Sequence, residues 1–180
     1  MRHNTIQLAV IDMAGTTVAD DGLVVEAFEV AATAGGIPDS GPQRDSARQY
    51  VLDTMGQSKI TVFRALFDDE DAAQRANAAF EDAYSALTEA GRAEPIPGAA
   101  DALSRLRSAG IKVALTTGFS PDTQAKLVAA LGRHALADLV LAPGDGVRGR
   151  PYPDPTRTAP PPPGADSLQS VVAPRDPSNA

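Results

Sequence analysis

Short apolar runs along the chain alternate with longer stretches in which apolar residues recur every three or four positions, the pattern of strands separated by helices. Residues 6–11 form a brief apolar run stopped by Met13-Ala14-Gly15-Thr16-Thr17, which predicts a buried parallel strand ending in a loop, with Asp12 at its carboxyl end. Residues 23–34 predict a helix closed by Gly35-Gly36, residues 43–67 a long helical stretch with a break at Gly56, and residues 71–90 a further helix. Beyond Pro95 and Pro97, residues 99–109 predict a helix ending at Gly110. A strand over 111–115 then runs into Thr116-Thr117-Gly118, and a third strand is predicted at 139–141. This alternation implies a parallel α/β sheet, whose ligands bind beyond the strand carboxyl ends. Asp12 and Thr117 should meet there.

The last thirty residues differ in kind, because they carry nine of the fifteen prolines, four of them consecutive at Pro160 to Pro163. Helix is excluded through that run, and polyproline or disordered chain is predicted, with one further strand within 167–173. A length of 180 residues, 43% hydrophobic, suits one globular core with a small insertion. The net charge of −7 and a pI near 4.7 argue against a broad nucleic-acid or anionic-membrane surface. A small anionic substrate would need local positive charge instead. With no cysteine, thiolate zinc sites, disulfides and a cysteine nucleophile are excluded, which suits a cytoplasmic location. Residues 6–11 are also too short for the apolar core of a signal peptide.

A carboxylate at a strand end beside a Gly-Thr-Thr turn rich in backbone donors is what phosphoryl transfer through an aspartyl-phosphate requires. Taken alone, an Asp before such a turn is more often a turn former. The wider pattern decides. Val10-Ile11-Asp12-Met13-Ala14-Gly15-Thr16-Thr17-Val18 resembles the first motif of the haloacid dehalogenase superfamily, in which the leading Asp attacks phosphorus and helps to hold Mg2+. Most phosphatases of that superfamily carry a second Asp two residues on, as acid for the leaving oxygen. Ala14 stands there instead, a signature of the phosphonoacetaldehyde hydrolase-like, or phosphonatase, branch.

In that branch a lysine condenses with the substrate aldehyde, and the iminium accepts the electrons of the breaking carbon–phosphorus bond. Met55-Gly56-Gln57-Ser58-Lys59-Ile60 resembles the segment that bears it, with Met55 and Gly56 in substrate-packing positions. At about 100° per residue, Leu52, Met55, Ile60, Val62, Phe63, Leu66 and Phe67 would form one apolar face with Lys59 near its middle. Apolar surroundings lower a lysine's pKa, as an amine nucleophile requires. The alternative is a lysine that snorkels out of a helix interface. The branch places a proton-carrying His three residues after the lysine, where this chain has Val62, and neither His3 nor His134 replaces it by position.

Ala114-Leu115-Thr116-Thr117-Gly118-Phe119 resembles the second motif, so that the Thr117 hydroxyl and the Gly118 amide would hold phosphoryl oxygens, with Thr16 beside them. Gly149-Arg150-Pro151-Tyr152-Pro153 resembles the segment in which an Arg grips the phosphonate as a fork. The metal ligands implied are Asp12, the Ala14 backbone carbonyl and Asp176. Counting without gaps brings Val171-Val172-Ala173 onto the last expected strand and Asp176 onto the first acidic loop position, but Arg175 stands for a Gly and Ala180 for the second Asp. A truncated or altered C-terminus is the expectation.

The resemblance implies a Rossmann-like α/β core over 1–20 and 95–155, a helical cap inserted at 21–94, and a Pro-rich tail or degenerate end of the core over 156–180. It also admits a homodimer formed through the cap. The leading functional expectation is Mg2+-dependent hydrolysis of a small phosphonate or phosphorylated substrate. A phosphatase of the phosphoglycolate type is the enzymatic alternative, and a catalytically impaired fold acting as a binding protein, or a damaged gene product, is the alternative of another class.

Overall fold

The computed structural model describes residues 6–19, 22–131, 137–144, 147–154 and 171–172. Strands β1 (Leu8–Asp12), β4 (Lys112–Thr116), β5 (Leu139–Leu141) and β6 (Val171–Val172) form one sheet in the order β5-β4-β1-β6, with every pairing parallel. Leu8, Ala9 and Val10 are buried in β1, as are Val113, Ala114 and Leu115 in β4. Unbroken apolar runs of this kind mark strands covered on both faces. The register sets Asp12 beside Thr116, so the two candidate loops leave the sheet side by side. The strand expected late in the chain is present as β6, paired with Leu8 and Ala9 of β1.

Between β1 and α5 (Ala99–Ser108) the chain makes a helical excursion. It departs through β2 (Val18–Ala19), returns through β3 (Glu94–Pro95), and these two short strands pair antiparallel. At two residues each they are too short for alternation to reveal them. Helices α1 (Leu23–Gly35), α2 (Pro42–Asp53), α3 (Lys59–Leu66) and α4 (Glu70–Glu89) make up the excursion, with α1 packed along α4. Both carry buried alanines, Ala27, Ala31 and Ala32 on one and Ala72, Ala73 and Ala76 on the other, and small side chains let two helix axes approach. Asp69 caps α4, its carboxylate accepting from the Ala72 amide at 2.9 Å.

The helical stretch expected over 43–67 is broken at Gly56, as its sequence indicates, into α2 and α3. Residues 54–58 form a turn with Gly56 at φ +83°, and α3 starts afresh at Lys59. The apolar face read across that stretch is therefore not continuous, and Leu52 is 45% exposed at the end of α2. A further helix, α6 (Pro121–Ala130), was not anticipated, although its start is well marked. Ser120 caps it by accepting from the Thr123 amide, Pro121 opens it, and Asp122 lies in its first turn.

All five phenylalanines of the chain, Phe28, Phe63, Phe67, Phe80 and Phe119, join Tyr84 in one connected set of ring contacts. Phe119 comes from the loop after β4 and the others from the helical excursion, so this cluster binds the helices to the sheet. Phe28, Phe63, Phe80 and Phe119 are fully buried, and burial of each such side chain stabilises the fold by roughly 1.5–3 kcal/mol.

Candidate active site

Hydrogen bonds draw the ends of the strands together. The Met13 amide donates to the Thr116 carbonyl at 3.0 Å, and the Thr117 amide to the Leu141 carbonyl at 3.2 Å. The loop after β1 is tight: the Thr16, Thr17 and Val18 amides all donate to the Met13 carbonyl. The turn at 54–58 is stitched onto this end of the sheet, because Ser58 N–H donates to the Arg150 carbonyl at 3.1 Å and Lys59 N–H to the Gly118 carbonyl at 3.3 Å. Gly118 must be glycine here, since a Cβ would collide with the Gln57 carbonyl.

These contacts enclose a cavity of about 340 Å³, lined by Asp12, Ala14, Thr16, Met55, Gly56, Lys59, Thr117, Gly118 and Arg150, with Gly15, Val24, Leu52 and Phe119 completing the wall. Of the site residues expected from sequence, all but Asp176 meet there, and Asp176 lies outside the described residues. Arg150 Nη2 stands 2.7 Å from Asp12 Oδ1 in a partly buried ion pair. The guanidinium also faces Gly56, whose Cα would place a Cβ only 3.5 Å from it. Thr117 is buried and its hydroxyl oxygen accepts from the Phe119 amide at 3.3 Å, which leaves the hydroxyl proton to donate.

Lys59 is 6% exposed. Its Nζ lies 5.4 Å from the centre of the Phe80 ring and 5.6 Å from that of Phe119, within the range of cation–π attraction. Lys59 thus reaches its apolar setting as the first residue of α3, against rings from α4 and from the loop after β4. A second cavity of about 470 Å³ shares Lys59, Gly118 and Phe119 with the first. Sequence reading passed over Phe80 and Phe119. Phe119 is the last residue of the second motif, whereas Phe80 sits amid an alanine-rich helical pattern with nothing local to link it to Lys59.

Residues 6–159 match the haloacid dehalogenase-like hydrolase family. The chain belongs to it. Phosphonoacetaldehyde hydrolase of Pseudomonas fluorescens is 31% identical over 94% of the chain and 62% of its own length, so the chain spans about three fifths of the curated relatives it matches. Several solved structures share the fold. A phosphonoacetaldehyde hydrolase like protein from Oleispira antarctica matches with a TM-score of 0.74 and 22% identity, covering 93% of this chain and 64% of that one. A protein from Lactobacillus delbrueckii assigned as a phosphoglycolate phosphatase matches with a TM-score of 0.65 and 20% identity, covering 86% of this chain and 72% of that one.

Among the described residues, no group of three or more His, Cys, Asp and Glu side chains comes together to hold a metal ion. The donors at the end of β1, the Asp12 carboxylate and the Ala14 carbonyl, are both oxygens and so suit a hard cation such as Mg2+, which binds through one or two carboxylates and retains waters. No helix among the described residues is long and apolar enough to cross a membrane.

Proposed function

We propose that this haloacid dehalogenase-like hydrolase cleaves a small phosphonate or phosphorylated substrate through an aspartyl-phosphate on Asp12, in the manner of a phosphonoacetaldehyde hydrolase. The observation that carries this reading is the gathering of Asp12, Lys59, Thr117 and Arg150 around one cavity, with Ala14 where an acid for a leaving oxygen would stand. Helices α1–α4 act as the cap that delivers Lys59.

The Lys59 amine condenses with the substrate carbonyl, releasing water and leaving an iminium. An Asp12 carboxylate oxygen then attacks phosphorus. As the carbon–phosphorus bond breaks, its electron pair passes to the iminium and yields an enamine, so no acid is needed at position 14. Protonation and hydrolysis of the enamine free the aldehyde product and the lysine, and water releases phosphate from Asp12. Arg150, already paired with Asp12, offers its other donors to the phosphoryl oxygens and offsets the repulsion between two anions. The Thr117 hydroxyl and Gly118 amide orient the same group. Mg2+ held by Asp12 and the Ala14 carbonyl would add charge neutralisation at phosphorus.

The shared fold of the Lactobacillus delbrueckii phosphoglycolate phosphatase favours a second reading, a carbon–oxygen phosphatase. Release of phosphate and acetaldehyde from phosphonoacetaldehyde in the presence of Mg2+, compared with release of phosphate from phosphoglycolate, separates the two. Equal amounts of phosphate and acetaldehyde from the first substrate and nothing from the second is the expected result. Phosphoglycolate turnover alone favours the phosphatase, and turnover of neither favours a binding protein.

A further inference from the structure

Helices α4 and α6 are joined along one side by three polar contacts. Glu81 accepts from the Ser120 hydroxyl at 2.8 Å and from the Ser120 amide at 3.2 Å. One turn further, the Ser85 and Thr123 hydroxyl oxygens lie 3.4 Å apart, and beyond them Glu89 pairs with Lys126 at 3.4 Å. Steps of four residues on α4 and three on α6 keep one face of each helix against the other.

The three contacts are unequal. Glu89 and Lys126 are at least half exposed, and a pair of that kind contributes little. The hydroxyl pair is neutral and long. Glu81 instead makes a charge-assisted, partly buried contact at the start of α6, where the helix dipole favours an anion.

Each partner of that contact also follows an aromatic residue. Phe80 and Phe119 stand 6.2 Å apart, and they are the two rings over which the Lys59 amine lies. We propose that Glu81 is a positioning residue: by gripping Ser120 it fixes Phe80 against Phe119 and so places the Lys59 amine. This rests on the functional reading above only in giving that amine a reaction to perform.

Lys59, Lys112 and Lys126 are the chain's lysines, so trace acetylation by acetic anhydride, read by mass spectrometry, reports the setting of Lys59 against the exposed Lys112 without any substrate. Glu81→Ala should raise Lys59 labelling relative to Lys112 by about tenfold. Glu81→Gln, which still offers Ser120 an acceptor, should stay within about twofold of wild type. Glu89→Ala should leave Lys59 unchanged. If Glu81→Ala fails to fold, Ser120→Asp keeps the cap of α6 while opposing two carboxylates, and it should show the same rise. For turnover of phosphonoacetaldehyde, kcat should fall about tenfold in Glu81→Ala with KM within about threefold, and Glu81→Gln should restore it. Wild-type Lys59 labelling in a folded Glu81→Ala or Ser120→Asp protein overturns the proposal, whatever the turnover. Raised labelling in a protein whose wild type turns nothing over upholds the placement of Lys59 and removes the phosphonatase reading instead.

Discussion

The Asp12 carboxylate and the Arg150 guanidinium lie 2.7 Å apart although 138 residues separate them in the chain. The pair joins the end of β1 to the loop that also accepts the Ser58 amide, so one contact links the sheet, the 54–58 turn and the proposed phosphoryl site. Removing either partner leaves the other charge partly buried and unbalanced.

Asp12→Asn should therefore abolish turnover, by about 10⁴-fold or more, because the amide is no nucleophile toward phosphorus. Rapid-quench analysis with radiolabelled substrate should find phosphate bound to the wild-type protein and none on the variant.

Arg150→Lys should raise KM by about tenfold while the protein remains folded, since a point charge replaces a planar fork that can bond Asp12 and a phosphoryl oxygen together. Steady-state kinetics with thermal melting alongside checks this. An unchanged KM would mean that Arg150 serves the fold and not the substrate.

Ala14→Asp supplies the carboxyl group that phosphatases of the superfamily use for the leaving oxygen. Turnover of phosphoglycolate, absent in wild type, should become measurable in the variant if the missing acid is what prevents ester hydrolysis. A phosphate-release assay reads the result directly.

Acid sensitivity should depend on Asp138, which holds β5 to β4. The bond from the Val113 amide, followed by Lys112 and Arg107, lowers its pKa below the ordinary 3.8. A depressed carboxylate stabilises the fold above its unfolded pKa and loses that contribution as pH falls through the folded value. The melting temperature of Asp138→Asn should thus lie below wild type at pH 7, and the gap should close below pH about 4.

Residues whose place around the cavity follows from a local pattern are legible in the sequence. Asp12, Ala14, Thr117 and Arg150 lie in short segments that carry their own signature, and the parallel sheet follows from apolar runs spaced by helices. The segment around Lys59 carries its own resemblance, whereas the apolar face drawn from Leu52 to Phe67 is interrupted by the turn at residues 54–58, so helical periodicity does not account for the lysine's apolar surroundings. The aromatic seat of Lys59 was hidden, since Phe80 and Phe119 meet only when α4 packs on the loop after β4. Glu81 looked like one more charge on an amphipathic helix, and the α6 cap that gives it a partner was itself overlooked. The strand at Val171–Val172 emerged from family spacing, whereas Asp176 and the remaining tail lie beyond the described residues.

Mass spectrometry of the protein incubated with phosphonoacetaldehyde, Mg2+ and borohydride shows whether Lys59 forms the iminium. A reduced two-carbon adduct on the peptide containing Lys59, absent from Lys59→Arg, is the predicted result. A folded protein that carries no adduct, or carries it only on Lys112 or Lys126, would contradict the Schiff-base account.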